Sequence, residues 1–231
     1  LFENEGKNII KFGFGQSPFP VPGIIVEELK KNAHEKSYLP IQGLDKLRNS
    51  IAKYESKKKN YDFHSDQIIV GPGTKELMFL MHLAFDGEVL LPIPSWVSYK
   101  PQSIIAKNNY HWIKTSSENN WFPKADELEN IVAKNPNKKF IFFINSPNNP
   151  SGQVLKKLKE ISEVIKKYDI LVLSDEIYSE LVFDENYTSL FEYCSDNVII
   201  SNGLSKWCGA GGWRLGYFVI PKKKIELLKS M

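Results

Sequence analysis

Cysteine is nearly missing from this 231-residue sequence: only Cys194 and Cys208 occur, with no metal-ligand spacing and no disulfide framework around them. That excludes a cysteine-based zinc site and predicts two free thiols in a reducing compartment. No apolar run approaches the ~20 residues of a bilayer-spanning helix. The opening LFENEGKNII lacks the basic start and apolar core of a secretory signal. Charge of one sign is lacking too, since 30 Lys+Arg against 27 Asp+Glu leave only +3. This excess is too small and too dispersed to suggest a surface that neutralises nucleic-acid phosphates. The expectation is a soluble, cytoplasmic protein that engages neither membrane nor nucleic acid. The four histidines, His34, His64, His82 and His111, are scattered and fall outside the loops singled out below, so no metal site is expected.

What is present is an ordinary globular composition, 42% hydrophobic, with length for one large domain or two small ones. Apolar residues at helical spacing, Ile24-Ile25-Leu29-Ala33 and Leu44-Leu47-Ile51-Tyr54, predict two amphipathic helices. Short apolar runs then alternate with helical patterns. Residues 68–70, 89–91, 110–113, 140–144, 170–173, 198–200 and 215–220 read as strands; 74–85, 124–134 and 156–168 read as helices. Such alternation predicts an α/β fold, a mostly parallel central sheet with helices on both faces. Ligands of these sheets sit beyond the carboxyl ends of the strands. The lysine runs 57–59 and 222–224 read as solvated surface, the second opening a further helix. No repeat, low-complexity tract or linker interrupts the chain.

Four strand ends carry polar blocks. After Ile68-Ile69-Val70 comes Gly71-Pro72-Gly73-Thr74-Lys75 at a helix start, where free backbone N–H groups suit a phosphate, although the pattern is neither a P-loop nor a dinucleotide fingerprint and also suits a simple turn. Residues 140–144 lead into Asn145-Ser146-Pro147-Asn148-Asn149-Pro150-Ser151-Gly152, a rigid polar loop. The next strand delivers Ser174-Asp175-Glu176-Ile177-Tyr178; an Asp after a buried strand demands a nearby cation. Val198-Ile200 ends in Ser201-Asn202-Gly203-Leu204-Ser205-Lys206-Trp207, followed by Gly209-Ala210-Gly211-Gly212-Trp213-Arg214-Leu215-Gly216.

The segments SPNNPSG, SDEIY and NGLSKWCGAGGWRLGY resemble, in order and spacing, the signature blocks of the fold-type I, pyridoxal-phosphate-dependent class I/II aminotransferases. FGFGQSPFPVP, YLPIQGL, GPGTKEL and PSWVSY are similar to further family segments. The resemblance implies transfer of an α-amino group from an amino acid to a 2-oxo acid. Lys206 would carry the pyridoxal 5'-phosphate covalently and move the α-proton. Asp175 would pair with the ring nitrogen, Asn149 and Tyr178 would bond the phenolic oxygen, and Trp96 would stack on the ring. Thr74 and Lys75, backed by Gly73, would hold the phosphate with Arg214. Tyr38 would reach the phosphate of a neighbouring subunit, implying a homodimer with shared sites, and Gly15 would border the substrate. Gly203 stands where some members have a phosphate-binding serine, leaving Ser201 or Ser205 as substitutes. The resemblance divides the chain into an N-terminal arm, 1–20, and a cofactor-binding large domain, 21–231, with a small domain bearing the substrate-carboxylate arginine expected beyond Met231. Two alternatives are a C–S β-lyase using the same residues and a non-catalytic fragment that keeps the scaffold.

Overall fold

The computed structural model describes residues 5–6, 8–10, 15–183 and 186–230; Phe12 to Phe14 of FGFGQSPFPVP and Met231 lie outside them. Its centre is one seven-stranded sheet. The strands are β1 (Ile68–Gly71), β2 (Glu88–Ile93), β3 (Tyr110–Lys114), β4 (Phe140–Asn145), β5 (Leu171–Asp175), β6 (Val198–Gly203) and β7 (Gly216–Val219). Their spatial order is β1-β7-β6-β5-β4-β2-β3. Neighbours from β6 through β3 are parallel, and β7 runs antiparallel between β1 and β6. Among the described residues six α-helices accompany them: α1 (Gly23–Asn32), α2 (Asp45–Lys59), α3 (Thr74–Ala84), α4 (Tyr99–Ile105), α5 (Ala125–Val132) and α6 (Leu158–Lys167). This is the expected mostly parallel α/β sheet.

Side chains alternate across the sheet with period two, so each strand feeds two cores. Ile141, Phe143, Leu171, Leu173, Ile199 and Phe218 meet Leu77, Met78 and Met81 of α3 and Tyr99 of α4. Phe142, Ile144, Val172, Val198 and Ile200 meet Ile51 of α2, Leu128 of α5, and Ile161 and Ile165 of α6. Burial on both faces is why Phe140-Ile-Phe-Phe-Ile144 is continuously apolar rather than alternating. In α6, Leu158, Ile161 and Ile165 recur at one helical face and are buried.

Three readings of the sequence need correction. Lys59, taken as surface, is buried; it continues the α2 stripe Ile51-Ala52-Glu55, one turn beyond Glu55, and meets Glu176 at 2.7 Å. The short α4 escaped detection because its seven residues, YKPQSII, include a proline and lack a long periodic stripe. The helix expected from Lys222 is a run of 3-10 turns over Lys222–Ser230, tied to the sheet's base where Lys224 pairs with Asp169. A fourth expectation is met only in part: α1 forms, but buries none of its residues.

Candidate active site

Parallel pairing brings the carboxyl ends of β4, β5 and β6 side by side, with Asn145 in register with Asp175 and Asp175 with Ser201. Because β7 runs in reverse, it begins at this same edge, Gly216 opposite both Gly203 and Gly71. The chain just before β7, with Arg214, therefore lands beside the turn that follows β1. Four blocks far apart in sequence converge on one rim.

Asp175 and Glu176 leave β5 toward different surroundings. Asp175 lies on the α3/α4 side, where its Oδ2 accepts the Tyr99 hydroxyl at 2.8 Å and its Oδ1 the Ile177 N–H at 3.4 Å. Burial pushes its carboxyl up to about 6, opposed by these two hydrogen bonds and, more weakly, by the charge of Lys206. Among the described residues its direct side-chain hydrogen-bond partner is a neutral hydroxyl, with the positive charge of Lys206 acting from farther away. Glu176 is fully buried and bonds Lys59, Ser174 and Ser189 on the α2 side.

The polar loop after β4 is fixed by its own side chains. Asn145 Nδ2 donates to the Asp175 carbonyl at 2.8 Å, while its Oδ1 accepts the Asn149 N–H at 2.6 Å. That aims Asn149 Nδ2 at the Tyr178 hydroxyl, 3.3 Å away. Tyr178 is held in turn from α2, where Lys58 bonds Ser179 at 2.9 Å and Tyr54 bonds Glu180 at 2.7 Å. Lys206 Nζ stands 5.5 Å from the Tyr178 ring centre and donates to the Gly15 carbonyl at 3.0 Å. Gly15 is thus drawn to the lysine across the sheet rim.

At the start of α3, Gly73 has φ +97°, a left-handed conformation that favours glycine, and a Cβ there would collide with the Arg214 guanidinium. Arg214 Nη1 donates to Gly211 O at 2.6 Å. Arg214 shares a cleft with Pro72, Lys75 and Val97. The first N–H groups of α3, Thr74 and Lys75 among them, have no intrahelical partner, and the Arg214 guanidinium lies against Gly73 just before them: a place for an anion. Trp96 is half-buried, with Lys75 Nζ 5.4 Å from its ring centre.

Gly203 owes its identity to packing, because a Cβ there would sit 2.6 Å from the Leu215 carbonyl. Of the two candidate serines, Ser201 is buried with an Oγ that has no hydrogen-bond partner among the described residues, while Ser205 is half-exposed. Tyr38 is fully exposed and is not brought to this rim by its own chain. Sequence reasoning missed Tyr99, Lys59 and Glu176. The signal for Tyr99 lay in PSWVSY, three residues past Trp96; for Lys59 it was the helical spacing from Ile51 and Glu55.

Comparison with known proteins agrees with this geometry. The family model described as aminotransferase class I and II matches residues 7–231. The aspartate aminotransferase of Thermotoga maritima is 32% identical over 95% of this chain and 60% of its own length. An aromatic-amino-acid aminotransferase of Thermococcus litoralis is 35% identical over 95% of the chain and 59% of its own. The solved Thermotoga maritima aspartate aminotransferase superposes with a TM-score of 0.91 at 32% identity, covering 99% of this chain and 62% of that one. The chain thus spans about three fifths of the length of these relatives. With the sheet order, the converging strand ends and a match across nearly every residue in agreement, this chain belongs to the class I and II aminotransferase family.

Proposed function

We propose that this protein transfers the α-amino group of an amino acid to a 2-oxo acid with pyridoxal 5'-phosphate. The observation that carries the reading is the convergence on one rim of an amine, a buried carboxylate, an Asn–Tyr pair and an anion cradle. Each fits a different part of this cofactor. The α3 N–H groups of Thr74 and Lys75 and the Arg214 fork suit the phosphate, with the space left by Gly73 between them. The Asn149 amide and Tyr178 hydroxyl suit a phenolic oxygen, the Asp175 carboxylate a protonated ring nitrogen, and the Trp96 face the ring itself. The Ser201 Oγ, buried and without a partner among the described residues, and the half-exposed Ser205 are further polar groups beside the rim.

When bound, the cofactor supplies an electron sink for the pair of electrons left when the α-proton departs. The protein's own part is positional and electrostatic. Lys206 Nζ would hold the cofactor covalently and, once displaced by substrate, would move the α-proton away from the substrate's α-carbon as a general base. Asp175 holds positive charge on the ring nitrogen. Trp96 covers one ring face, and Gly15, hydrogen-bonded to Lys206, borders the substrate. We assign residues 1–20 to an arm and 21–231 to the cofactor-binding domain. The working unit is a homodimer in which Tyr38 completes the partner's phosphate site. A cytoplasmic setting suits the two buried free thiols.

The test is to load the protein with pyridoxal phosphate, reduce it with borohydride and map the modified residue, then assay amino donors with and without a 2-oxo acid. A single adduct on Lys206, its loss in Lys206→Ala, and turnover that requires the acceptor are expected. An adduct on Lys75 or Lys100, or acceptor-independent release of pyruvate and ammonia, would overturn the assignment.

A further inference from the structure

Tyr99 opens α4, and its ring is almost wholly buried. The ring packs edge-on against Trp96 at 5.5 Å and tilted against Phe143 at 5.5 Å, so it enters the sheet from below the rim. Its hydroxyl donates to Asp175 Oδ2 at 2.8 Å, joining residues 76 apart in sequence. The helix that carries it is itself anchored: Ser103 Oγ donates to the Tyr99 carbonyl at 3.1 Å, and Gln102 Nε2 to the Lys75 carbonyl at 2.8 Å. One seven-residue helix therefore ties together the anion cradle at the start of α3, the Trp96 face and the buried carboxylate.

The choice of a phenol has a chemical consequence. A lysine or arginine at this place would neutralise Asp175 and compete with any cation that the carboxylate is to receive. A hydroxyl satisfies one oxygen and stabilises the ionised form without adding charge, so the full negative charge remains available. Burial holds the phenol well above its ordinary value, which keeps it a donor throughout the working pH range. The other charges nearby are Glu176, which opposes ionisation, and Lys206, which favours it.

We propose that Tyr99 is a positioning residue for the reaction, keeping the Asp175 carboxylate ionised and fixed for the ring nitrogen of pyridoxal phosphate. This rests on the assignment of Asp175 above. A hydrogen bond to a buried charged group corresponds to about a tenfold to hundredfold effect on what that group binds.

The experiment measures binding to cofactor-free protein by quenching of tryptophan fluorescence, with two probes: pyridoxal phosphate, and its analogue with a CH in place of the ring nitrogen. Tyr99→Phe is expected to weaken pyridoxal phosphate at least tenfold and to change the analogue less than twofold. Equal weakening of both probes would mean that Tyr99 only packs the helix, and an unchanged pyridoxal phosphate affinity would mean that it does nothing; either overturns the proposal. Asp175→Asn separates the two levels of inference. If it leaves the preference for the nitrogen-bearing probe intact, the assignment of Asp175 falls and Tyr99 with it. If it abolishes the preference while Tyr99→Phe does not, only the role of Tyr99 falls. The double variant, which carries no buried carboxylate to strain the fold, must match Asp175→Asn alone; a further loss would also overturn the proposal.

Discussion

A buried carboxylate works against folding once it ionises, and Asp175 allows that cost to be measured. Its folded pKa of about 6 lies above the ordinary 3.8. Between these values the folded protein holds a proton that the unfolded chain has released, so stability falls as pH rises from about 4 to 6 and stays lower above. Two pH units at roughly 1.4 kcal/mol each give about 3 kcal/mol. Cofactor-free Asp175→Asn should therefore melt higher than the parent at pH 8, by several degrees, and at the same temperature near pH 4. His82 acts in the opposite direction, since burial lowers it to about 4 and stability is lost as pH falls through that value; the parent-minus-variant difference cancels it. A difference that does not depend on pH, followed by calorimetry, would count against the shifted carboxyl. At the anion cradle, Gly73→Ala puts a methyl group against Arg214 in a backbone conformation that disfavours it. The expected result is at least a tenfold loss of pyridoxal phosphate affinity by fluorescence titration, with an unchanged circular dichroism spectrum.

Among the elements, α2 has a role out of proportion to its sequence. The sequence predicts an amphipathic helix here with a solvated lysine run at its end, yet Glu55 and Lys59 are buried with Glu176, and Tyr217 donates to Glu55 at 2.6 Å. This network backs the strand end that presents Asp175, while Tyr54 and Lys58 grip the turn after Tyr178. Removing one member of a buried ion pair leaves the others without compensation, which costs about 3–5 kcal/mol. Lys59→Met should lose about that much in urea unfolding, while Lys57→Met, two residues away and exposed, should stay within about 0.5 kcal/mol. Equal effects would show that Lys59 is solvated after all.

For the whole molecule, the segment from Phe19 to Leu44 is the feature that its own core does not explain. Phe19, Ile24, Leu39 and Ile41 are exposed, Ile41 at 92%, and Tyr38 of the same segment stands fully in solvent. Apolar side chains grouped in this way mark a contact surface, and the proposed homodimer supplies one. Sedimentation equilibrium at micromolar concentration should give twice the chain mass for the parent and close to the chain mass for Ile41→Glu. Tyr38→Phe should keep the dimer and lose cofactor affinity. A parent that sediments as a monomer would remove the shared site.

The sequence by itself determined the layered α/β class, because period-3.6 and continuous apolar patterns alternate along the chain. It also placed Asn149, Asp175, Tyr178, Lys206 and Arg214 in short polar blocks at strand ends, because residue types and spacing are local properties. What the tertiary structure decided are the contacts between blocks: Tyr99 under Asp175, Lys59 under Glu176, and Gly15 on Lys206 across 191 residues. It also decided that Gly203 can carry no side chain, since the obstruction is the Leu215 carbonyl at the entry to β7. These depend on strand order and on which face of a strand or helix is inward. Local pattern does not contain either one, because the free energy that selects them comes from burying surfaces of elements that meet only in the folded chain.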